Sequence, residues 1–239
     1  MALEYYQAEV YNIIQETPTV RRFQLRFNDL DVFDFKAGQY VKVDMPLNST
    51  KNYRQYSISS EPLGTNEIEL LIVFKEGGAG TNYLFNEVKV GSFLTVSRAL
   101  GRFVLPENIE REICFICTGV GLAPFRSMYL DVLNKNKAHK GMNLIFGTRK
   151  IEDICYKDEL FGLDAEDNNF NYHPVLSREE SPEWQGRKGY LHPIYKELYA
   201  EKPDALFYLC GWDIMIKEAR TSLMEIGYSR RDILFEKYD

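Results

Sequence analysis

Residues Ile113–Pro124 read ICFICTGVGLAP. An unbroken apolar run, Ile113–Cys117, is short enough to be a strand buried on both faces. It passes through Thr118-Gly119-Val120-Gly121 into a segment with helical spacing, Pro124–Asn134. Glycine lets the backbone turn tightly and approach a ligand closely. Proline suits the first turn of a helix. A helix start after such a turn offers unpaired N–H groups and a positive dipole end, which suit a pyrophosphate. The other reading of the turn is a tight strand-to-helix connection with no ligand. The third glycine of the G-x-G-x-x-G fingerprint is absent, and Pro124 stands in its place.

The same rhythm continues downstream. Apolar strands are expected at Asn143–Gly147, Tyr172–Leu176 and Leu206–Cys210. They alternate with helical patterns at Lys157–Leu163, Pro193–Leu198 and Ile214–Ile226. Such alternation predicts a doubly wound α/β domain with a parallel sheet, which binds ligands at the carboxyl ends of its strands. Those ends carry Thr118-Gly119, Thr148-Arg149, Ser177-Arg178 and Cys210-Gly211. Arg149 and Arg178 are read as ligand contacts from their place along the strands, against the alternative of solvated surface charge.

Upstream the pattern is different. Alternating, β-branched and aromatic segments at Ala8–Ile14, Arg22–Phe27, Tyr40–Asp44, Tyr56–Ser59, Ile68–Phe74 and Phe93–Ser97 are separated by turn residues. Strands at this spacing predict an antiparallel β-barrel or sandwich, with Thr81–Val88 as its helix. Two domains are therefore expected, 1–106 and 107–239.

Composition narrows the classes. The chain has 239 residues, 45% of them hydrophobic and 27% charged, which suits packed cores. A net charge of −6 argues against nucleic acid as the main partner. No apolar run reaches the length of a membrane span, and the first residues lack the pattern of a secretion signal, so a cytoplasmic location is expected. Cys114 and Cys117 form a C-x-x-C, but residues three apart on a strand point to opposite faces, so this pair is read as core rather than metal ligands. With Cys155 and Cys210 the only other cysteines, any iron–sulfur cluster is expected on another protein. His139, His173 and His192 are scattered and receive no role.

Arg54-Gln55-Tyr56-Ser57-Ile58-Ser59-Ser60 is the segment richest in chemistry. On a strand, Arg54 and Tyr56 share one face, and Gln55 and Ser57 the other. Arginine can grip a pyrophosphate with two parallel bonds, and a neighbouring tyrosine can stack on a flat ring. An ordinary barrel strand fits the spacing equally well. The motif R-x-Y-S followed by serine resembles the flavin-binding signature of the ferredoxin–NADP reductase superfamily. Four further elements resemble that family, in its order: Gly77-Gly78-Ala79-Gly80-Thr81, Gly119-Val120-Gly121-Leu122-Ala123-Pro124, Cys210-Gly211, and the ending Glu236-Lys237-Tyr238. Together they cover nearly the whole chain.

The resemblance implies an FAD domain followed by an NAD(P) domain, and a set of roles. Arg54 would bind the FAD pyrophosphate, Tyr56 the flavin or ribityl region, and Ser57 the neighbourhood of flavin N5. Gln55 belongs to the same cofactor segment, and Val73, Lys75, Gly80 and Thr81 match the remaining flavin and phosphate contacts. Thr118, Gly119, Gly121, Pro124, Thr148, Arg149, Ser177, Arg178 and Gly211 fall on the dinucleotide side. Cys210 and Glu236 would line the hydride-transfer site, and Tyr238 would stack on the isoalloxazine ring. Ser177-Arg178 resembles the pair that grips the 2′-phosphate in NADP-using relatives, with Arg149, Arg187 or Lys188 as assistants. Glu179 and Glu180 keep NAD(H) open. Val120 stands where threonine is frequent, Thr81 where serine is, and Trp212 where smaller residues or proline are. The activity implied is electron transfer between NADP(H) and ferredoxin or flavodoxin. One alternative is an NADH-dependent reductase component of an oxygenase. Another is an FAD-binding regulatory or assembly module without catalysis. An acidic carrier would need a basic docking patch, for which Lys51, Arg54, Lys75 and Arg98 are available.

Overall fold

The computed structural model describes residues 3–47, 52–166 and 169–238; Lys51, of the expected docking patch, lies outside them. Its elements, in chain order, are strands β1 (Tyr5–Thr17), β2 (Val20–Arg26), β3 (Tyr40–Asp44), β4 (Tyr53–Ser57) and β5 (Glu67–Val73), helix α1 (Ala79–Asn86) and strand β6 (Phe93–Ser97). Then come β7 (Glu112–Thr118), α2 (Leu122–Leu133), β8 (Met142–Thr148), α3 (Lys157–Asp164), β9 (Phe170–Leu176), β10 (Arg187–Lys188), α4 (His192–Leu198), β11 (Ala205–Gly211), α5 (Asp213–Ile226) and β12 (Ile233–Lys237). Contacts group the residues up to Leu105 with Ala123–Asp131 as one unit, and Pro106–Leu122 with the residues from Val132 onward as a second.

The first unit is an antiparallel barrel. Its strands run in the order β4-β3-β6-β1-β2-β5, and a bridge between Ile58 and Leu70 joins the two outer strands. Alternation puts Phe23, Leu25, Val41, Val43, Ile68, Leu70, Ile72 and Val96 inside, where they are almost fully buried. Phe27 and Phe33 stack at 4.2 Å between ring centroids. Strand β4 begins at Tyr53 rather than the expected Tyr56, because Tyr53 and Arg54 pair with Asp44 and Val43. Past Ser57 the chain leaves β3 and reaches toward β5 at Ile58.

The second unit is a parallel sheet in the order β10-β9-β8-β7-β11-β12. From β7 the chain moves outward through β8 and β9, then returns to place β11 on β7's other side. That reversal is a topological switch point, and the crevice beyond the carboxyl ends of β7 and β11 is where such folds hold ligands. Helices α4 and α5 cover one face through Ile194, Tyr195, Met215, Ile216, Ala219 and Leu223, against Cys114, Ile116, Phe207 and Leu209. Cys114 and Cys117 are both buried. Strand β12 was not expected: the stretch was read as a chain ending, yet Ile233–Lys237 pairs in parallel with Phe207–Gly211.

Candidate functional site: two phosphate cradles

In the barrel unit, Arg54 on β4 and the start of α1 come together. A Cβ added at Gly80 would sit 2.9 Å from Arg54 Cγ and 3.3 Å from Met45 Sδ. Only glycine lets the first turn of α1 lie this close to the arginine. No side chain caps that helix at Gly78, so its leading N–H groups and the guanidinium form one electropositive corner. Arg54 Nη1 also donates to its neighbour's carbonyl, Tyr53 O, at 2.9 Å.

Thr81 holds the loop before this helix. Its hydroxyl lies 3.0 Å from Lys75 O and 3.1 Å from Gly78 O, and accepts the Lys75 N–H at 3.2 Å. Those bonds use the hydroxyl internally, so Thr81 shapes the turn. Lys75 and Val73 are exposed at the end of β5. Tyr56 packs on the barrel core, and burial pushes its phenol pKa up while Arg54 opposes the shift. Ser57 is buried beside Tyr40 in register. Gln55 is exposed and its amide is 3.4 Å from the Tyr40 hydroxyl.

In the sheet unit, the glycine turn and the end of β11 interlock. A Cβ on Gly121 would lie 2.5 Å from Cys210 O. One on Gly211, whose φ is +134°, would collide with the Thr118 hydroxyl. Gly119 has φ +54° and nothing within 4 Å of its missing Cβ, so the turn presents bare backbone to open space. Helix α2 starts at Leu122, which puts Pro124 in its first turn, where an N–H has no intrahelical partner to lose. Both cradles fit the groups expected in them: guanidinium plus helix start for one pyrophosphate, and bare glycine backbone before a helix for the other.

Beyond β8 and β9 the ladder continues into the loops. Ser177 donates to Thr148 O through its N–H at 3.0 Å and its hydroxyl at 3.2 Å. Arg178 N–H donates to Arg149 O at 2.9 Å. Arg149 and Arg178 are thus neighbours, both exposed, and neither has an ion pair among the described residues. Glu179, the expected rival, is occupied. Its carboxylate accepts Ile151 N–H and Ser181 N–H, each at 2.8 Å, and these bonds lower its pKa. Arg187, an expected assistant, is instead clamped by Glu197 through contacts of 2.7 and 3.0 Å.

Cys210, Glu236 and Tyr238 converge at the end of β11. Cys210 and Glu236 are register partners on β11 and β12, and Tyr238 N–H donates to Gly211 O at 3.0 Å. Burial pushes the Cys210 thiol well up, with Glu236 adding to the shift. Burial alone raises the Glu236 carboxyl from 4.5 to about 7. A carboxyl raised toward neutrality and a buried thiol thus lie side by side at the carboxyl end of the sheet, where such folds hold ligands.

Two family models match the chain. The model for the oxidoreductase FAD-binding domain matches residues 7–105, and that for the oxidoreductase NAD-binding domain matches 115–221. "Ferredoxin--NADP reductase B" of Sorangium cellulosum is 33% identical, over 99% of this chain and 98% of that protein. The phenol 2-monooxygenase reductase component DmpP of Pseudomonas sp. strain CF600 is 32% identical, over 99% of this chain but 66% of its own length. Among solved structures, the Amycolatopsis cytochrome P450 reductase GcoB superposes with a TM-score of 0.88 at 26% identity, covering 98% of this chain and 70% of that one. With both domain models matched and a reductase one-third identical along nearly its whole length, the chain belongs to the ferredoxin–NADP reductase superfamily as an FAD-dependent oxidoreductase that works with a nicotinamide dinucleotide.

Proposed function

We propose that the protein moves electrons between NADP(H) and a one-electron carrier such as ferredoxin or flavodoxin, with 1–106 as the FAD module and 107–239 as the dinucleotide module. The observation that carries the coenzyme choice is the couple Arg149–Arg178, without an ion pair among the described residues, beside a Glu179 already committed to backbone N–H groups. Two neighbouring guanidinium groups suit a 2′-phosphate, and an acidic residue available to the ribose hydroxyls would have suited NAD.

In this reading Arg54 and the start of α1 hold the FAD pyrophosphate, with Gly80 as the close-approach position and Val73, Lys75 and Thr81 bordering it. Tyr56 rests against the flavin or ribityl region, with Gln55 in the same segment, and the Ser57 hydroxyl serves the N5 end. Bound FAD supplies the exchange between two-electron and one-electron chemistry. Thr118, Gly119, Gly121, Pro124 and Gly211 form the cradle of the dinucleotide pyrophosphate, and Thr148 and Ser177 carry the arginines. Cys210 and Glu236 line the nicotinamide position. Below about pH 7 Glu236 carries a proton and can donate a hydrogen bond there; above it, the carboxylate only accepts. Tyr238 is assigned to the flavin ring, where it yields to the nicotinamide. Four buried cysteines with no disulfide among them suit a reducing compartment, and we place the protein in the cytoplasm.

The test is Arg178→Ala. A charge-assisted contact to phosphate contributes about 1.5–3 kcal/mol, or roughly 10- to 150-fold. The variant's KM for NADPH should rise by that factor while its KM for NADH stays put. Equal effects on both would remove the assignment. The second reading, an NADH-driven reductase component of an oxygenase, is favoured by the similarity to DmpP and by Glu180, exposed two residues after Arg178.

A further inference from the structure

Strand β5 carries a carboxylate where its neighbours Ile68, Leu70, Leu71 and Ile72 are all buried and apolar. Glu69 is itself buried, at 5% exposure. A buried carboxylate is costly unless it is paired and hydrogen-bonded on every side. Its Oε2 accepts the Gln24 amide at 2.9 Å and lies 3.6 Å from Arg22 Nη1. Its Oε1 faces the Ser59 hydroxyl at 3.3 Å and Arg126 Nη1 at 3.4 Å. Arg22 is paired in turn with Glu16 at 2.7 Å. The result is an alternating row of charges, Glu16–Arg22–Glu69–Arg126, running through the barrel unit.

The row ends on the flavin segment. Arg126, on the part of α2 grouped with the barrel, donates to Ser59 O at 3.0 Å. The same stretch is pinned by Ser59 N–H to Glu69 O at 2.8 Å, Ser59 Oγ to Glu69 O at 3.0 Å, and Glu69 N–H to Ser60 Oγ at 3.0 Å. Ser59 lies just beyond Ser57, at the point where the chain leaves β3. Backbone pairing alone would hold a strand; it does not require a buried carboxylate between two arginines.

We infer that Glu69 and Arg126 are positioning residues for the reaction, setting the bend after β4 so that the Ser57 hydroxyl is held at one place and one angle. The inference rests on the reading of Arg54–Ser57 as the flavin segment. Neither residue touches the cofactor in this account. They act through Ser59, and because they act as one unit their effects are not independent.

The experiment uses the FAD-loaded protein, with single-turnover flavin reduction at saturating NADPH followed by absorbance and steady-state turnover over a range of NADPH for the KM. Glu69→Gln keeps the shape and one acceptor but removes the charge; Arg126→Met removes the other end of the pair. Each should retain FAD, lower the reduction rate about tenfold and leave the KM for NADPH unchanged, as loss of one charge-assisted bond at a positioning site requires. The double variant should be no slower than either single one. A multiplicative loss near a hundredfold, a loss seen only as released FAD, or a wild-type rate in the single variants would each overturn the inference. Ser59→Ala, which cuts the hydroxyl link and keeps all four charges, is read the same way if Glu69→Gln does not fold. Arg54→Ala separates the premise from the inference. If it keeps FAD as tightly as the wild type, the flavin segment itself is misassigned. If it loses FAD while Glu69→Gln reduces at the wild-type rate, only the positioning role fails.

Discussion

Glu236 should make the protein less stable as the pH rises from acid toward neutrality, and Glu236→Gln should abolish that trend. Burial lifts this carboxyl from 4.5 to about 7. Below pH 4.5 the group is protonated in the folded and unfolded chains alike and contributes nothing. Between 4.5 and 7 the unfolded chain releases its proton while the folded one keeps it, so the unfolded state binds fewer protons and rising pH favours unfolding. Above about 7 the whole penalty stands. At about 1.36 kcal/mol per pH unit it reaches roughly 3 kcal/mol. Glutamine has nothing to ionise, so the variant gains up to roughly 3 kcal/mol over the wild type on going from pH 4.5 to pH 8. Denaturant titration of both proteins at the two pH values measures the difference. Trp184 and Trp212 are the only tryptophans, and both belong to the sheet unit, so their fluorescence follows the right transition. A stability difference that is the same at both pH values would refute the reasoning.

Two further substitutions probe the cradles. Gly121→Ala sets a methyl 2.5 Å from the Cys210 carbonyl oxygen, a main-chain atom that cannot rotate away; β7 and β11 must part, at about 1–3 kcal/mol, and Tm should drop by about 5 °C with weakened nicotinamide affinity. An unchanged Tm would mean that the turn has slack the geometry denies. Arg54→Ala removes the guanidinium from the α1 corner and should weaken FAD binding roughly 10- to 150-fold, measured by flavin fluorescence on dilution; full retention would put the pyrophosphate elsewhere.

How far the sequence revealed this differs from place to place. The strand–turn–helix at Ile113–Pro124 was legible because buried strands and glycine turns are local signals. The contact of Gly121 with Cys210 was not, since nothing in either segment encodes that β11 returns beside β7. Strand β12 was overlooked because Glu236-Lys237-Tyr238 was read for its ending rather than for the apolar Ile233-Leu234-Phe235 before it. The alternation alone started strand β4 at Tyr56, although Arg54–Ser57 was also read on a strand; its true start at Tyr53 shows only when Asp44 and Val43 are found opposite Tyr53 and Arg54. Arg187 was offered to the phosphate because its partner Glu197 comes from helix α4, ten residues on. Glu69 did give a signal, a charge inside an apolar strand, but its meaning depends on Arg126, far away in sequence.

The measurement that bears most directly on the account is a steady-state comparison of NADPH and NADH as donors to ferricyanide, a one-electron acceptor, with the FAD-loaded wild-type protein. The account predicts turnover that requires FAD, with kcat/KM for NADPH at least tenfold above that for NADH, the least that one guanidinium–phosphate contact supplies. Absence of FAD-dependent turnover with either donor would contradict the electron-transfer function, and a preference for NADH would contradict the reading of Arg149 and Arg178.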